Sequence, residues 1–206
     1  LDRMESAIVE GFGEIGSSEA AGSVFAQFND NIKNFSFAKT FQQINDMGNF
    51  ILDADGNQLV FSEFKKSAEQ IFEIYNGVWL ETEFNTAKSI TESARQWVEI
   101  QDVKGFLPLL KYSTVGDGRV RESHRTLDGI IRPVDDAFWD ENYPPNDFNC
   151  RCIVEQLEEG DVTKLDGLDL EEINPLFKTN PAKTGQVFTE SEHPYFKGLQ
   201  IADLGF

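Results

Sequence analysis

The helical periodicity of the sequence stops near Gln101, and this break constrains the fold more than any other feature. Before it, Trp79 to Gln101 has apolar residues at spacings of three and four, which form one stripe along a helix. The stripe consists of Leu80, Phe84, Ala87, Ile90, Ala94, Trp97 and Val98. After the break, Gly and Pro become frequent. The sequence therefore predicts an α+β fold, in which helices come first and a loop-rich unit follows.

Two more segments before the break have helical patterns. Ser62 to Val78 predicts a helix that Ser62 caps, and Phe25 to Ile51 predicts one or two helices rich in Phe. The inner face of the helix capped by Ser62 would be Phe64, Ala68, Ile71, Phe72 and Tyr75. Asp53 to Asn57 has the composition of a turn. A calcium loop with Gly56 at its sixth position would need a Glu at the twelfth, where this chain has Ser62.

After the break we expect three short strands and one short helix. The strand segments are Leu107–Val115, Ile130–Ile131 ahead of Pro133, and Cys150–Leu157. Arg121 to Leu127 predicts the helix, and Asp128-Gly129 is a turn that ends it. These short elements predict a compact unit that rests on the helices.

The patterns divide the chain into three parts. They are a helical region at 1–103, a loop-rich α/β unit at 104–160, and an extended acidic tail at 161–206. Between Glu155 and Glu172 the sequence has eight acidic residues and one Lys, which is typical of a solvated surface. We expect the tail to wrap the body of the protein or a partner.

Composition excludes several classes of protein. The 206 residues have a net charge of −18 and a pI near 4.4, which excludes a protein-wide basic surface for nucleic acid. No apolar run approaches the roughly 20 residues of a membrane span. Two Cys do not make a disulfide scaffold. Because the sequence begins at Leu1, we expect it to be a fragment or a trimmed product.

A local basic island interrupts the acidic sequence between Lys104 and Arg132, where six basic residues meet three acidic ones. Candidate contacts to phosphate or to an acidic partner are Lys111, Arg121, Arg125 and Arg132. Internal ion pairs that hold a loop-rich unit together are the alternative, and we favour them. Any contact with DNA would be weak and salt-dependent because the protein is acidic overall.

Both Cys lie in Cys150-Arg151-Cys152, and His124 lies upstream next to a turn. Thiolate and imidazole are the ligands that zinc prefers, so the three residues are candidate metal ligands. The fourth ligand would be His193, a carboxylate such as Asp128, or water. The alternative is two buried thiols and a hydrogen-bonded His. No nucleophile, phosphate-binding or metalloprotease motif is present, and we assign no catalytic residue.

Several motifs follow one another in a fixed order along the second half of the chain. They are Tyr112 to His124, Leu127-Asp128-Gly129, Asp135 to Trp139, Tyr143-Pro144-Pro145 and Cys150-Arg151-Cys152. This series resembles the phage Mu F-like minor head proteins, also called the phage head morphogenesis family. Helical segments upstream and the tail motifs up to Phe196 are also similar, so the resemblance covers about residues 80–200.

The resemblance implies a structural role and not an enzymatic one. It implies a minor head protein of a tailed phage or prophage, which acts in head morphogenesis and in DNA packaging or ejection. Its partners would be the portal and major capsid proteins, and it would reside in the virion or, during assembly, in the host cytoplasm. The alternative from another class is a nuclease or toxin-like effector built on the same module.

The resemblance also bears on the metal. Some related members have Cys-x-x-Cys where this chain has Arg121 and His124, followed by the same Leu-Asp-Gly and Cys-Arg-Cys. That arrangement resembles a zinc site with four ligands. Here His124 would replace one Cys, whereas Arg121 cannot replace the other, so the resemblance implies zinc with three protein ligands.

The remaining motif residues have expected structural roles. Asp117 suits a turn, and Gly129 would supply the left-handed residue after the short helix. Trp139 would anchor the long loop by burial, and Pro144-Pro145 would stiffen its return. We expect Arg119 and Arg151 to pair with an acid such as Asp117, Asp128 or Asp136.

Overall fold

The computed structural model describes residues 1–199 and confirms the predicted α+β class. Its α-helices are α1 (Asp2–Phe12), α2 (Glu19–Gly48), α3 (Phe61–Glu73), α4 (Trp79–Val103), α5 (Glu122–Arg125), α6 (Phe138–Asn142) and α7 (Pro181–Thr184). Its strands are β1 (Leu109–Ser113), β2 (Ile131–Pro133) and β3 (Ile153–Leu157). A π-helical turn at Ile74–Val78 joins α3 to α4, and 3₁₀ turns lie at Pro175–Phe177 and Pro194–Phe196.

The long helices follow the sequence prediction with one exception at a cap. The helix predicted from Trp79 is α4, and the Phe-rich segment is the single helix α2. Ser62 is not the N-cap of α3, because that helix begins at Phe61 after Val60 and has no side-chain cap. The chain leaves a hairpin closed by the Leu59 N–H···O=C bond to Ile51, and the helix starts almost at once. The sequence pattern did not reveal α1.

The helical core forms where α1, α2 and α4 pack together. From α2 it takes the buried side chains of Phe28, Ile32 and Phe35, at spacings of three and four. Helix α1 approaches α4 so closely at Gly11 that an added Cβ would lie 2.1 Å from the Thr91 hydroxyl oxygen. Glycine is therefore required there by contact and not by backbone conformation.

The three strands form one antiparallel sheet in the order β2-β1-β3. Leu110 in the central strand stands opposite Arg132 on one side and Gln156 on the other. The sheet covers a second core that includes Tyr112, Leu127, Trp139 and Tyr143, and α4 contributes Trp97 and Ile100 to it. Strand β3 begins at Ile153 and not at Cys150 as predicted, because the chain turns at residues 147–150.

The tail folds back onto the helical core. The side-chain amide of Asn31 donates from Nδ2 to the Phe188 carbonyl at 3.0 Å. Its Oδ1 accepts from the N–H groups of Val187 and Phe188 at 2.8 and 2.9 Å. The Phe35 and Phe188 rings stack with centroids 3.9 Å apart. A single buried amide thus pairs three backbone groups of a segment that has no regular secondary structure.

A buried ion pair lies inside the helical core. Lys39 Nζ of α2 and Glu83 Oε2 of α4 are 2.5 Å apart, and both residues are buried. The Tyr195 hydroxyl, from the tail, donates to Glu83 Oε1 at 2.8 Å. Burial raises the pKa of Tyr195, and the Glu83 carboxylate raises it further. The phenol is therefore held as a neutral donor.

Helix α3 packs more loosely than its sequence predicts. None of its own residues is buried, and of its predicted inner face only Tyr75, in the π-helical turn, is buried. Phe72 is 53% exposed. The Tyr75 hydroxyl donates to Asp46 at 2.6 Å, which fixes the end of α3 against α2. No helix within residues 1–199 is both long enough and apolar enough to cross a membrane.

Replacing Lys39 by Met should lower the free energy of unfolding by about 3–5 kcal/mol, because Glu83 would stay buried without its cation. Urea unfolding measures the change. The matched control is Lys33→Met, which removes an exposed lysine paired with Asp30 and should cost less than about 1 kcal/mol. Equal losses in the two variants would contradict the assigned role of the Lys39–Glu83 pair.

Candidate metal centre

The structure brings His124, Cys150 and Cys152 together at one end of the sheet unit. His124 lies on α5 and is buried, whereas the two Cys are half-buried in the segment that leads into β3. His124 Nδ1 lies 3.7 Å from Cys150 Sγ and 3.6 Å from Cys152 Sγ. All three ligand atoms lie within 4.8 Å of one another.

These separations fit a tetrahedral metal. With Zn–S near 2.3 Å and Zn–N near 2.05 Å, the sulfur-to-nitrogen edge of a tetrahedron is about 3.6 Å. Both observed sulfur-to-nitrogen distances are close to that value. The donor set and its spacing therefore fit zinc, with His124 Nδ1 as the nitrogen donor.

The two thiols differ in their tendency to ionise. The hydrogen bond from Cys152 and the contact with His124 outweigh burial and lower the pKa of Cys150 to about 4. The neighbouring Cys150 sulfur and burial raise the pKa of Cys152 above its usual range. Ionisation is therefore favoured at Cys150 and disfavoured at Cys152. Because metals bind the thiolate form, the lowered pKa of Cys150 favours coordination by its sulfur.

The other face of the His124 ring has no satisfied partner. Its Nε2 is buried and has no hydrogen-bond partner among residues 1–199. A buried polar atom left in this way costs free energy. An ion on Nδ1 would fix the ring proton on Nε2, which would then be a donor without an acceptor among these residues.

Neither of the two predicted protein candidates for the fourth ligand, Asp128 and His193, lies in the cluster. Asp128 Oδ1 accepts the Thr114 N–H at 2.7 Å, and the carboxylate is not part of the cluster. His193 lies in the helical core against Phe35 and Tyr195. Within the described part of the chain, three ligands therefore form the group.

Arg121 stands near this site and holds the loop that precedes Cys150. Its Nε lies 2.9 Å from Asp147 Oδ2, and its Nη2 donates to the Phe148 carbonyl at 3.0 Å. Asp147 in turn accepts from the Cys150 N–H through its backbone carbonyl. Arg121 therefore positions the Cys-x-Cys segment from outside the cluster.

Arg151 connects the Cys-x-Cys segment to the turn at Asp117. Both of its terminal nitrogens lie 2.8 Å from the Asp117 carboxylate, in a bidentate pair. Together with the Arg119 N–H, this pair lowers the pKa of Asp117 well below its usual range. Arg119 itself is mostly exposed and lies 3.5 Å from the same carboxylate.

The other motif residues build the scaffold around the cluster. Gly129 has φ +80° and donates its N–H to the Tyr112 carbonyl. Trp139 is fully buried, and its Nε1–H donates to the Pro133 carbonyl at 2.9 Å. Pro144 and Pro145 are buried, and the Ser93 hydroxyl of α4 donates to the Pro144 carbonyl.

The basic residues of the island each have an acidic neighbour. The pairs are Lys111–Glu155, Arg121–Asp147, Arg125–Glu122 and Arg132–Asp136. Arg132 also donates to the Thr163 carbonyl at 2.7 Å. Contact of these residues with phosphate stays a prediction. The sequence did not reveal Asp147 or Glu155 as partners, because such pairs join residues distant in the chain.

Comparison with known proteins shows which proteins this chain resembles. Residues 55–155 match the family model described as Phage Mu protein F like protein. The putative capsid assembly protein F of Escherichia phage Mu is 29% identical over 154 residues, which cover 72% of this chain and 32% of that protein. The Mu-like prophage FluMu F protein of Haemophilus influenzae is 39% identical over 80 residues, which cover 39% of this chain and 19% of that protein.

The predicted resemblance to the Mu F-like proteins is thereby confirmed. The chain spans about a third or less of the length of these two relatives. No solved structure matches the chain.

The buried His193 gives the protein a pH-dependent stability of its own. Burial and the nearby Lys39 ammonium lower the pKa of His193 to about 4, and its Nδ1 accepts the Tyr195 N–H. In the unfolded chain the imidazole would titrate near 6.5. Below that pH the unfolded state binds a proton that the folded state refuses, so stability falls from about pH 6.5 to about pH 4 and no further.

The His193→Asn variant should lack this loss, because Asn keeps an acceptor for the Tyr195 N–H. Urea unfolding of both proteins at pH 7.5, 6, 5 and 4 measures the difference in unfolding free energy. Between pH 7.5 and pH 4, the unfolding free energy of the wild type should fall by about 3 kcal/mol more than that of the variant. Parallel curves would show that His193 protonates freely in the folded protein.

Proposed function

We propose that the chain is a minor head protein that acts in the assembly of a tailed-phage or prophage head, in contact with the portal or the inner capsid. The observation behind this is the Mu F-like match over residues 55–155, which includes α3, α4, the three metal-cluster residues and most of the sheet. The phage Mu relative is named a putative capsid assembly protein.

The same match supports a structural and not an enzymatic role. A capsid assembly name belongs to the phage relative, and the sequence has no motif of a catalytic class. The protein would be found in the virion or, during assembly, in the host cytoplasm. DNA would contribute little to its binding, because the protein is acidic and its basic island is paired internally.

Quantitative mass spectrometry of purified heads and of portal pull-downs tests this role. We expect this chain at a few copies per head, retained with the portal after salt washing. The matched control is a head preparation from a mutant phage that lacks the gene. A protein absent from heads, from portal complexes and from assembly intermediates would contradict the proposal.

Within that role, we propose that one zinc ion holds the sheet unit together through His124 Nδ1 and the two Cys sulfurs. When bound, zinc supplies a cross-link between α5 and the segment before β3 and carries out no reaction. Support comes from the sulfur-to-nitrogen spacing and from the lowered pKa of Cys150. A loop-rich unit gains stability from such a cross-link because its folded state alone forms the site.

The purified protein should contain about one zinc per chain, measured by elemental analysis. At free zinc about 100 times the dissociation constant, the free energy of unfolding should rise by about 2.7 kcal/mol. Cys152→Ser and His124→Ala should lose both the metal and this gain. His193→Asn changes the other His and should keep both, whereas a wild-type protein without metal and without zinc-dependent stability would overturn the proposal.

A further inference from the structure

Helix α3 and the hairpin before it expose an apolar surface that no described residue covers. Phe61 is 77% exposed and Phe72 is 53% exposed, and both lie on the same side of α3. In the hairpin, Ile51 and Leu52 are about half exposed, at 47% and 53%. Exposed groups of large apolar side chains mark sites of interaction. We call this surface the hairpin patch.

The hairpin patch contains a groove and not a flat face. A cavity of about 300 Å³ lies between the hairpin and the start of α3 and is lined by Ile51, Gln58, Leu59, Phe61 and Phe64. A bridge between Leu52 and Gln58 closes the hairpin. The lining is apolar except for Gln58, which suits the apolar face of an inserted helix.

Hydrogen bonds to α2 and within the hairpin hold the patch in place. Tyr75 bonds to Asp46, and the Asn76 amide donates to Gln43 Oε1 at 3.3 Å, so that the end of α3 is attached to α2 at two points. At the tip, Asp53 Oδ1 accepts the N–H groups of Asp55 and Asn57. The groove thus has a preformed shape, which lowers the entropic cost of binding.

The charges around the hairpin patch indicate which kind of partner can bind there. Residues 50–73 contain five acidic side chains and two lysines, and Lys65 is already paired with Glu69 at 3.5 Å. A second copy of this chain would place one acidic rim against another. Residues 200–206 have one Asp and no basic residue, so they offer no complement either. A partner with basic flanks complements this rim.

We infer that the hairpin patch is a docking site for an amphipathic helix of another protein, with an apolar face in the groove and Lys or Arg on its flanks. The partner helix inserts apolar side chains between Ile51, Leu59 and Phe61, and its basic residues face Asp55 and Glu63. This inference does not depend on the head-assembly role and goes beyond it.

The test uses a fluorescent 18-residue Leu/Lys peptide patterned as an amphipathic helix, and a scrambled peptide of the same composition. Fluorescence anisotropy at 150 mM salt measures binding to the full 206-residue protein. We expect the patterned peptide to bind at least tenfold more tightly than the scrambled one. The double substitution Phe61→Ser/Phe72→Ser should weaken binding of the patterned peptide at least tenfold. The double substitution Asp55→Lys/Glu63→Lys should also weaken this binding.

The matched control is Phe106→Ser, which removes an 83% exposed Phe between α4 and β1 and should leave binding unchanged. Circular dichroism checks that each variant keeps its helical content. Equal binding of both peptides would overturn the proposal, because charge alone would then explain the binding. Equal losses of binding in Phe106→Ser and in Phe61→Ser/Phe72→Ser would overturn it as well. Self-association in sedimentation that Phe61→Ser/Phe72→Ser abolishes would overturn it in favour of a second copy.

Discussion

The ion pair between Lys39 and Glu83 decides how the helices and the tail must meet. Burying either charge alone would be very costly, so α2 and α4 are stable together only in the register that brings the two groups within 2.5 Å. The Tyr195 hydroxyl donates to the second oxygen of the Glu83 carboxylate. The position of the tail therefore depends on the same ion pair. His193, two residues earlier, is kept neutral because burial and the Lys39 ammonium lower its pKa. One polar contact inside an apolar core thus specifies three elements at once.

Helix α4 links this ion pair to the cluster of His124, Cys150 and Cys152. Its first half lies in the helical core, and its second half contributes Trp97 and Ile100 to the core under the sheet. The loop that contains Pro144 is attached to α4 through Ser93, and the same loop leads to Cys150. The cluster is therefore positioned from a rigid helix, although its own surroundings are mostly loops.

Elements with a strong local pattern were predictable from the sequence, and long-range contacts were not. The stripe from Leu80 to Val98 predicted α4, and the ligand chemistry of thiolate and imidazole predicted that His124 and the Cys-x-Cys segment belong to one site. The start of β3 was misplaced because a strand pattern does not show that residues 147–150 turn. The Ser62 cap was wrong because the hairpin bond at Leu59 sets the start of α3. Ion pairs such as Arg121–Asp147 depend on the folded chain and have no local signature.

The bonds of Asn31 have a consequence for the order of folding. This residue lies early in the chain, yet its amide pairs with backbone groups of Val187 and Phe188, 156 and 157 residues later. During synthesis on the ribosome, α2 must therefore wait for almost the whole described chain before its polar core residue is satisfied. Until then the Phe35 ring also lacks the Phe188 ring that stacks on it in the folded protein. The helical core is thus complete only after residues 187 and 188 have been synthesised and have reached Asn31.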